Sequence, residues 1–186
     1  MELISELKKI IKGEVLGDEE TIKKYSRDAS LFEVRPKAVV FPKDAEDIKK
    51  LVKFGVENEI SLTPRSGGTD MTGGPLSESI VVDMAKYFNK IKDIGKDYAT
   101  VEPGVYYRDF EQETLKQGLF LPTYPASREI CTVGGMVANN AGGEKTPAYG
   151  KTEDYLLELK VILKDSNEYI IKPLFKPELE IKMSQQ

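Results

Sequence analysis

Two glycine-rich runs constrain this chain more than any other feature. Thr63 to Pro75 reads TPRSGGTDMTGGP and holds four of the fifteen glycines. Pro125 to Gly150 holds five more: Gly134, Gly135, Gly142, Gly143 and Gly150. Glycine lets a backbone adopt positive φ and approach a ligand closely. Consecutive N–H groups in such loops form anion-binding nests. Two such loops in one small chain point to a phosphorylated ligand held between them. Two flexible surface loops are the competing reading.

At 186 residues, 40% of them hydrophobic, the chain is the size of one domain with a real core. A net charge of −4 leaves no electrostatic footprint for nucleic acid. The first residues, MELISELKKIIKGEV, are amphipathic and charged, unlike a secretory leader. No apolar run has the length of a membrane-spanning helix. The single cysteine, Cys131, excludes an internal disulfide and fits a reducing compartment, so the expected location is the cytoplasm. The chain has no histidine, which excludes a Ser-His-Asp triad, a His-ligated metal and a His general base. Chemistry here must come from a bound cofactor, from carboxylates or from another chain. No catalytic residue and no metal site are assigned.

Periodicity gives an α+β chain. Leu3, Leu7, Ile10 and Ile11 share a helical face. Asp18 caps a second helix through Lys24. Ala38–Phe41, AVVF, reads as a buried strand, Asp44 caps a helix through Asn58, and Ile60–Thr63 reads as the next strand. This βαβ unit makes its two strands parallel. The first glycine run follows directly, where open α/β sheets place ligands. Ile80–Asp83 and Asp97–Val101 are further strands. Tyr107–Gln117 is a helix anchored by Phe110 and Leu115 and stopped at Gly118. Val133–Ala138 suits a short buried helix. Leu156–Leu163 reads as a largely buried strand, turning at Asp165-Ser166-Asn167 into a hairpin with Glu168–Lys172. A last helix is expected from Pro177.

Two familiar phosphate motifs fail. The G-x-G-x-x-G fingerprint is absent, and Glu144 stands where a P-loop needs glycine before Lys145. What remains is a series of motifs in fixed order: PRSGGT at Pro64–Thr69, MTGGP, IVVDM at Ile80–Met84, NKI at Asn89–Ile91, VEPGV at Val101–Val105, PAS at Pro125–Ser127, CTVGG at Cys131–Gly135, ANNAGG at Ala138–Gly143 and YGKTED at Tyr149–Asp154. In this order they resemble the flavin-binding (PCMH-type) domain of the vanillyl-alcohol-oxidase/p-cresol-methylhydroxylase superfamily. Within it they resemble the branch of glycolate oxidase GlcD subunits and FAD-linked D-lactate and D-2-hydroxyglutarate dehydrogenases. The resemblance covers roughly Tyr25 to Lys172.

The resemblance implies a two-lobed domain, a small parallel βαβ lobe and a mixed or antiparallel sheet lobe, with FAD extended between them. Residues 1–186 would be this single domain, with lobes roughly 1–100 and 101–175. Residues 176–186 would open a linker to a substrate domain, absent here, in the same or another chain. Arg65, Ser66, Gly67, Gly68, Thr69 and Asp70 would wrap the pyrophosphate with backbone N–H groups, Pro64 would border the cofactor before them, and Gly73 and Gly74 would lie under the same cofactor. Pro125, Ala126, Ser127, Thr132, Gly134 and Gly135 would line the opposite wall, with Asn139, Asn140, Ala141 and Gly142 near the flavin. Tyr149 and Gly150 would close the pocket, and Val161 would meet the adenine. Binding would be non-covalent: Thr69 stands where some relatives carry a flavin-linked histidine, and the spacing at Cys131 departs from that of cysteine-linked relatives. The complete enzyme would oxidise a small 2-hydroxy acid of the glycolate or D-lactate type by hydride transfer to flavin N5, and this domain would be inactive alone. Its electron acceptor is not specified. The alternatives are a stand-alone flavin-binding or electron-transfer subunit, and a non-flavin α+β domain whose glycine loops are structural.

Overall fold

The computed structural model describes residues 2–184. Helix α1 (Glu2–Ile10) leads into strand β1 (Glu14–Leu16) and helix α2 (Glu19–Tyr25). Strand β2 (Ala38–Phe41), helix α3 (Ala45–Glu57) and strands β3 (Leu62–Arg65) and β4 (Ile80–Asp83) complete the first half. The expected caps are in place. The Asp18 carboxylate accepts from the Thr21 N–H, and the Asp44 carboxylate accepts from the Asp47 N–H.

The four strands form one sheet in the order β1-β2-β4-β3, with β1 antiparallel to β2 and the other neighbours parallel. The α3 crossover therefore skips a position, and β4 fills it. The period-2 alternation of β2 shows why this sheet is covered on both faces. Ala38 and Val40 pack with Leu7, Ile11 and Leu51 from α1, the turn after it and α3. Val39 and Phe41 pack with Ile22 and Tyr25 of α2. β3 is an edge strand, where Pro64 removes no central ladder bond.

Two polar groups hold this half together. Asp47 has no solvent exposure, and its carboxylate accepts from the backbone N–H groups of Lys12, Gly13 and Lys43, each at 2.9 Å. The Tyr25 hydroxyl donates to Asp83 Oδ2 at 2.7 Å in a buried contact, while Asp83 Oδ1 accepts from Ala85 and Lys86 N–H. Burial first, and then the bond to Asp83, push the Tyr25 hydroxyl pKa up. Tyr25→Phe keeps the ring and strands one carboxylate oxygen. It will cost about 1–3 kcal/mol in denaturant unfolding.

The second half is built on another core: Val105, Tyr107, Phe110, Tyr124, Cys131 and Met136. Strands β5 (Ile91–Ile94) and β6 (Ala99–Val101) form an antiparallel pair leaning on it. Helix α4 (Tyr107–Leu115) follows, then α5 (Val133–Ala138), the short α6 (Thr146–Tyr149) and a 3₁₀ turn at Thr152–Tyr155. Strands β7 (Leu159–Ile162) and β8 (Glu168–Ile171) make the expected hairpin, and α7 (Lys176–Met183) ends the described chain.

Two expectations need correction. Leu115 does not anchor α4, because it is 53% exposed. Tyr107, Phe110 and Thr114 set the buried face at helical spacing, and Leu115 lies one step around the helix from it. The strand expected over Leu156–Leu163 shrinks to β7 and is half-buried to exposed, with Leu157 and Leu163 open to solvent. An apolar run is buried only where a partner covers it, and among the described residues β8 is exposed along its whole length too.

Candidate functional site

The site begins where β3 leaves the sheet. The first glycine run, half-buried from Ser66 to Asp70, turns back along the second run. Three contacts join them. Ser66 Oγ lies 2.6 Å from Thr132 Oγ1. The Asn139 side-chain amide donates to Asp70 Oδ1 at 2.9 Å. Gly67 lies so close to the Ile130 carbonyl that an added Cβ would stand 2.6 Å from its oxygen. Residues more than sixty positions apart in sequence thus meet at one seam.

Among the described residues, the backbone N–H groups of Ser66, Gly67, Gly68, Thr69, Asp70 and Met71 find no acceptor. Six successive free donors, around a positive-φ residue (Gly68, φ +64°), have the make-up of an anion nest. The Arg65 side chain takes no part in it. Its guanidinium donates to the carbonyls of Tyr25 and Arg27 and lies 5.1 Å from the centre of the Tyr25 ring. Burial lowers the Arg65 pKa. A Cβ on Gly68 would meet that guanidinium at 2.5 Å, so Arg65 forms the floor under the nest. Asp28 sits nearby, its Oδ1 accepting from Ser30 and its Oδ2 buried without a partner among the described residues.

Beyond Asp70 the first run closes on itself. Asp70 Oδ2 accepts from the N–H groups of Thr72 and Gly74 and from the Thr72 hydroxyl. The Thr72 hydroxyl and the Gly74 N–H, then Asn139, hold the Asp70 carboxyl down at about 2. Gly73 packs against the exposed ring of Phe32.

On the opposite wall, the Thr132 hydroxyl caps α5 by accepting from the Gly135 N–H at 3.2 Å. Gly134 rests against Pro103 and Gly135 faces Thr132 and Ser66. Pro125, Ala126 and Ser127 enter this wall, and the Ser127 carbonyl accepts from the Ile130 and Cys131 N–H groups. Burial raises the Cys131 pKa and keeps the thiol protonated. Asn139 is the C-cap of α5, Asn140 Oδ1 accepts from Glu153 N–H, the Ala141 carbonyl accepts from Thr152, and Gly142 abuts Thr146.

Not every expected residue reaches the seam. Tyr149 is 53% exposed at the end of α6, Gly150 packs on Asp154, and Val161 pairs with Tyr169 in the hairpin. Tyr124 and Phe32 carry no glycine and no motif signal, yet both shape the site. Tyr124 lies under the second run: its ring is flanked by Arg128 and Lys145, its hydroxyl donates to Glu144 and its carbonyl abuts Gly143. An open groove of about 470 Å³ at the carboxyl ends of β2 and β4, lined by Tyr25, Phe41, Asp83, Lys86 and Tyr106, shares no residue with the two glycine runs. No cluster of metal-ligating side chains occurs among the described residues.

An α+β domain with a glycine nest at a strand's carboxyl end, clasped to a second glycine run, has the make-up of a binder of phosphorylated ligands. The comparisons sharpen that class. Residues 36–170 match the FAD binding domain family, and the chain belongs to it. Glycolate oxidase subunit GlcD of Bacillus subtilis is 35% identical over 143 residues, which are 75% of this chain and 30% of that protein. D-lactate dehydrogenase of Archaeoglobus fulgidus is 34% identical over 172 residues, 89% of this chain and 38% of that one. Among solved structures, 6-hydroxy-D-nicotine oxidase of Arthrobacter nicotinovorans superposes with a TM-score of 0.77 at 25% identity, covering 91% of this chain and 38% of that one. Alkyldihydroxyacetonephosphate synthase shares the fold with a TM-score of 0.80 at 21% identity, covering 96% of this chain and 36% of that one. The PCMH-type architecture expected from the motifs is the architecture observed. This chain spans little more than a third of these proteins, or less.

Proposed function

We propose that this chain is the FAD-binding part of a flavin-dependent dehydrogenase acting on a small 2-hydroxy acid, and that it holds FAD without a covalent bond. The observation that carries this reading is the run of N–H groups at Ser66–Met71, free among the described residues, seated at the carboxyl end of β3 and beside the second glycine run. These groups suit a pyrophosphate, whose charge needs donors more than it needs side chains. The remaining residues of the two runs, from Pro125 through Gly142, would form the wall along which the dinucleotide extends, with Tyr149, Gly150 and Val161 at its ends. Among the described residues the Thr69 hydroxyl makes no hydrogen bond, whereas the Ser66 hydroxyl is committed to Thr132.

When bound, the flavin would supply the redox chemistry by accepting a hydride at N5. The protein's part is to bind, orient and shield it. A chain without histidine has no imidazole to take the substrate hydroxyl proton. That base and the substrate contacts belong, in this reading, to a further domain, since the two curated relatives are about two and a half times as long. The solvent-exposed side chains of Phe175, Leu179 and Ile181 along α7 suit a covering partner, and the chain alone would turn over little substrate. Among the described residues no helix is long and apolar enough to cross a membrane, and with its one cysteine buried and reduced the protein suits the cytoplasm.

The test is an absorption spectrum of the purified chain before and after incubation with FAD and desalting. A flavin spectrum that survives desalting and leaves the protein on acid precipitation is the expected result. Colour retained in the acid pellet would overturn non-covalent binding, and a colourless protein would overturn binding by this segment.

A further inference from the structure

We infer that Asp70 is the positioning residue of the candidate cofactor site, fixing three separate segments so that the N–H groups of Gly67 through Asp70 stay turned toward a ligand phosphate. This rests on the flavin reading above and adds a residue that acts through its neighbours rather than on the ligand.

The geometry is specific to this one residue. Its Oδ2 gathers the Thr72 N–H at 3.1 Å, the Thr72 hydroxyl at 2.6 Å and the Gly74 N–H at 2.8 Å, which closes the second half of the first glycine run. Its Oδ1 accepts from Asn139, the residue that ends α5, and so ties the run to the opposite wall. Its backbone carbonyl accepts from the Ala29 N–H at 3.1 Å, which brings in the segment between α2 and β2. Its own N–H is one of the free donors. A carboxylate is a resident anion. Here it occupies the donors of Thr72 and Gly74 and leaves the N–H groups of Ser66 through Met71 for a second anion. The donors of one loop are thereby divided between a fixed internal charge and an exchangeable external one. Without the Asp70 side chain the run loses its bonds to Thr72 and Gly74, and Asn139 has no partner across the seam. The carboxylate also carries a cost for the ligand, since its charge opposes a pyrophosphate lying along the same loop.

This separates two substitutions. Asp70→Ala removes every side-chain bond. Asp70→Asn keeps an acceptor for Thr72 and Gly74, can donate to a turned Asn139 amide, and removes the charge. FAD affinity would be followed by flavin fluorescence on titration. Global stability would be read from the thermal midpoint, and loop closure from amide hydrogen exchange at Thr72 and Gly74. Asp70→Ala should weaken FAD binding about tenfold or more and speed exchange at both amides, while the thermal midpoint stays close to the parent because the contacts are at the surface. Asp70→Asn should bind FAD at least as tightly as the parent. Asn139→Ala should weaken binding less than Asp70→Ala, and the double variant should fall short of the summed effects. Parent affinity in Asp70→Ala would overturn the inference, as would a loss that only follows global unfolding or a failure of Asp70→Asn to rescue. If the parent itself binds no FAD, the flavin reading has failed. The amides then decide: unchanged exchange in Asp70→Ala overturns the positioning role, and faster exchange confined to Thr72 and Gly74 supports it.

Discussion

Replacing Asp47 by alanine will remove a large share of the stability of the first half of this protein. The side chain is fully buried, and its two oxygens accept three backbone N–H groups from two segments: Lys12 and Gly13 after α1, and Lys43 before α3. Bonds to a charged acceptor contribute about 1.5–3 kcal/mol each, partly offset by the cost of burying the charge. A net loss of about 3 kcal/mol or more is expected, against a total of about 5–15 kcal/mol for a domain. Asp47→Asn should lose less, since one oxygen remains to serve either Lys12 or the Gly13–Lys43 pair. Asp44→Ala, one turn earlier, removes an exposed helix cap and should cost about 1 kcal/mol. Denaturant unfolding should rank Asp47→Ala as the most damaging of the three, Asp47→Asn next and Asp44→Ala as the mildest. Equal losses for Asp47→Ala and Asp44→Ala would show that the carboxylate does nothing beyond ordinary capping. Hydrogen exchange should rise first in α1, because two of the three bonds hold the turn that follows it. Gly13 is part of the same joint: a Cβ there would stand 1.9 Å from the Phe41 carbonyl oxygen, so the turn after α1 and the end of β2 are in backbone contact.

The elements of this half were readable because each carries a local signal. Asp18 and Asp44 sit where caps belong, and AVVF and IVVD are runs that only a central strand buries on both faces. The order of the strands was less readable, since nothing in Ile80–Asp83 says that it enters between β2 and β3. Strand β5 carries little sequence signal, because IKDI does not alternate and its register shifts between Ile91 and Asp93. Four residues of α6 are too few to show a period. Val133–Ala138 was readable as a helix because small and apolar residues cluster there inside a long loop, and Thr132 caps it.

The site was readable in its residues and not in its reasons. The glycines mark the two runs, but sequence alone cannot say that Gly67 faces a carbonyl of the other run or that Gly143 faces Tyr124. Arg65 beside a glycine nest suggests a phosphate contact, yet the side chain supports the floor from behind by binding the carbonyls of Tyr25 and Arg27. Such roles depend on contacts across 38 to 69 positions, which no local pattern encodes. Several glycines are thus required by the protein's own packing before any ligand arrives, and this bears directly on what a substitution at the nest would mean.

Gly67→Ala should cost both cofactor affinity and stability, and the two losses together identify why glycine is needed. The added Cβ would lie 2.6 Å from the Ile130 carbonyl oxygen and 3.4 Å from Cys131 Cα, both backbone atoms that cannot turn aside. The first run must then move off the second, stretching the 2.6 Å contact between Ser66 and Thr132 and disturbing the hydroxyl that caps α5. Overpacking of this kind costs about 1–3 kcal/mol. Displacement of the nest by the same strain corresponds to a roughly tenfold to hundredfold weaker FAD complex, at about 1.4 kcal/mol per factor of ten. Were glycine needed only to let the pyrophosphate approach, the ligand-free protein would be as stable with alanine as without, and only the affinity would fall. Gly118→Ala supplies the control. That residue, unlike Gly67, takes a positive φ, +73°, and among the described residues nothing lies within 4 Å of its would-be Cβ. It should lose about 1 kcal/mol to backbone strain and leave FAD binding unchanged. Thermal unfolding without ligand and FAD titration on both variants decide the matter. A Gly67→Ala protein with parental stability and lost affinity would move the role of Gly67 from packing to ligand approach. Parental affinity in a destabilised Gly67→Ala protein would place the phosphate away from this nest altogether.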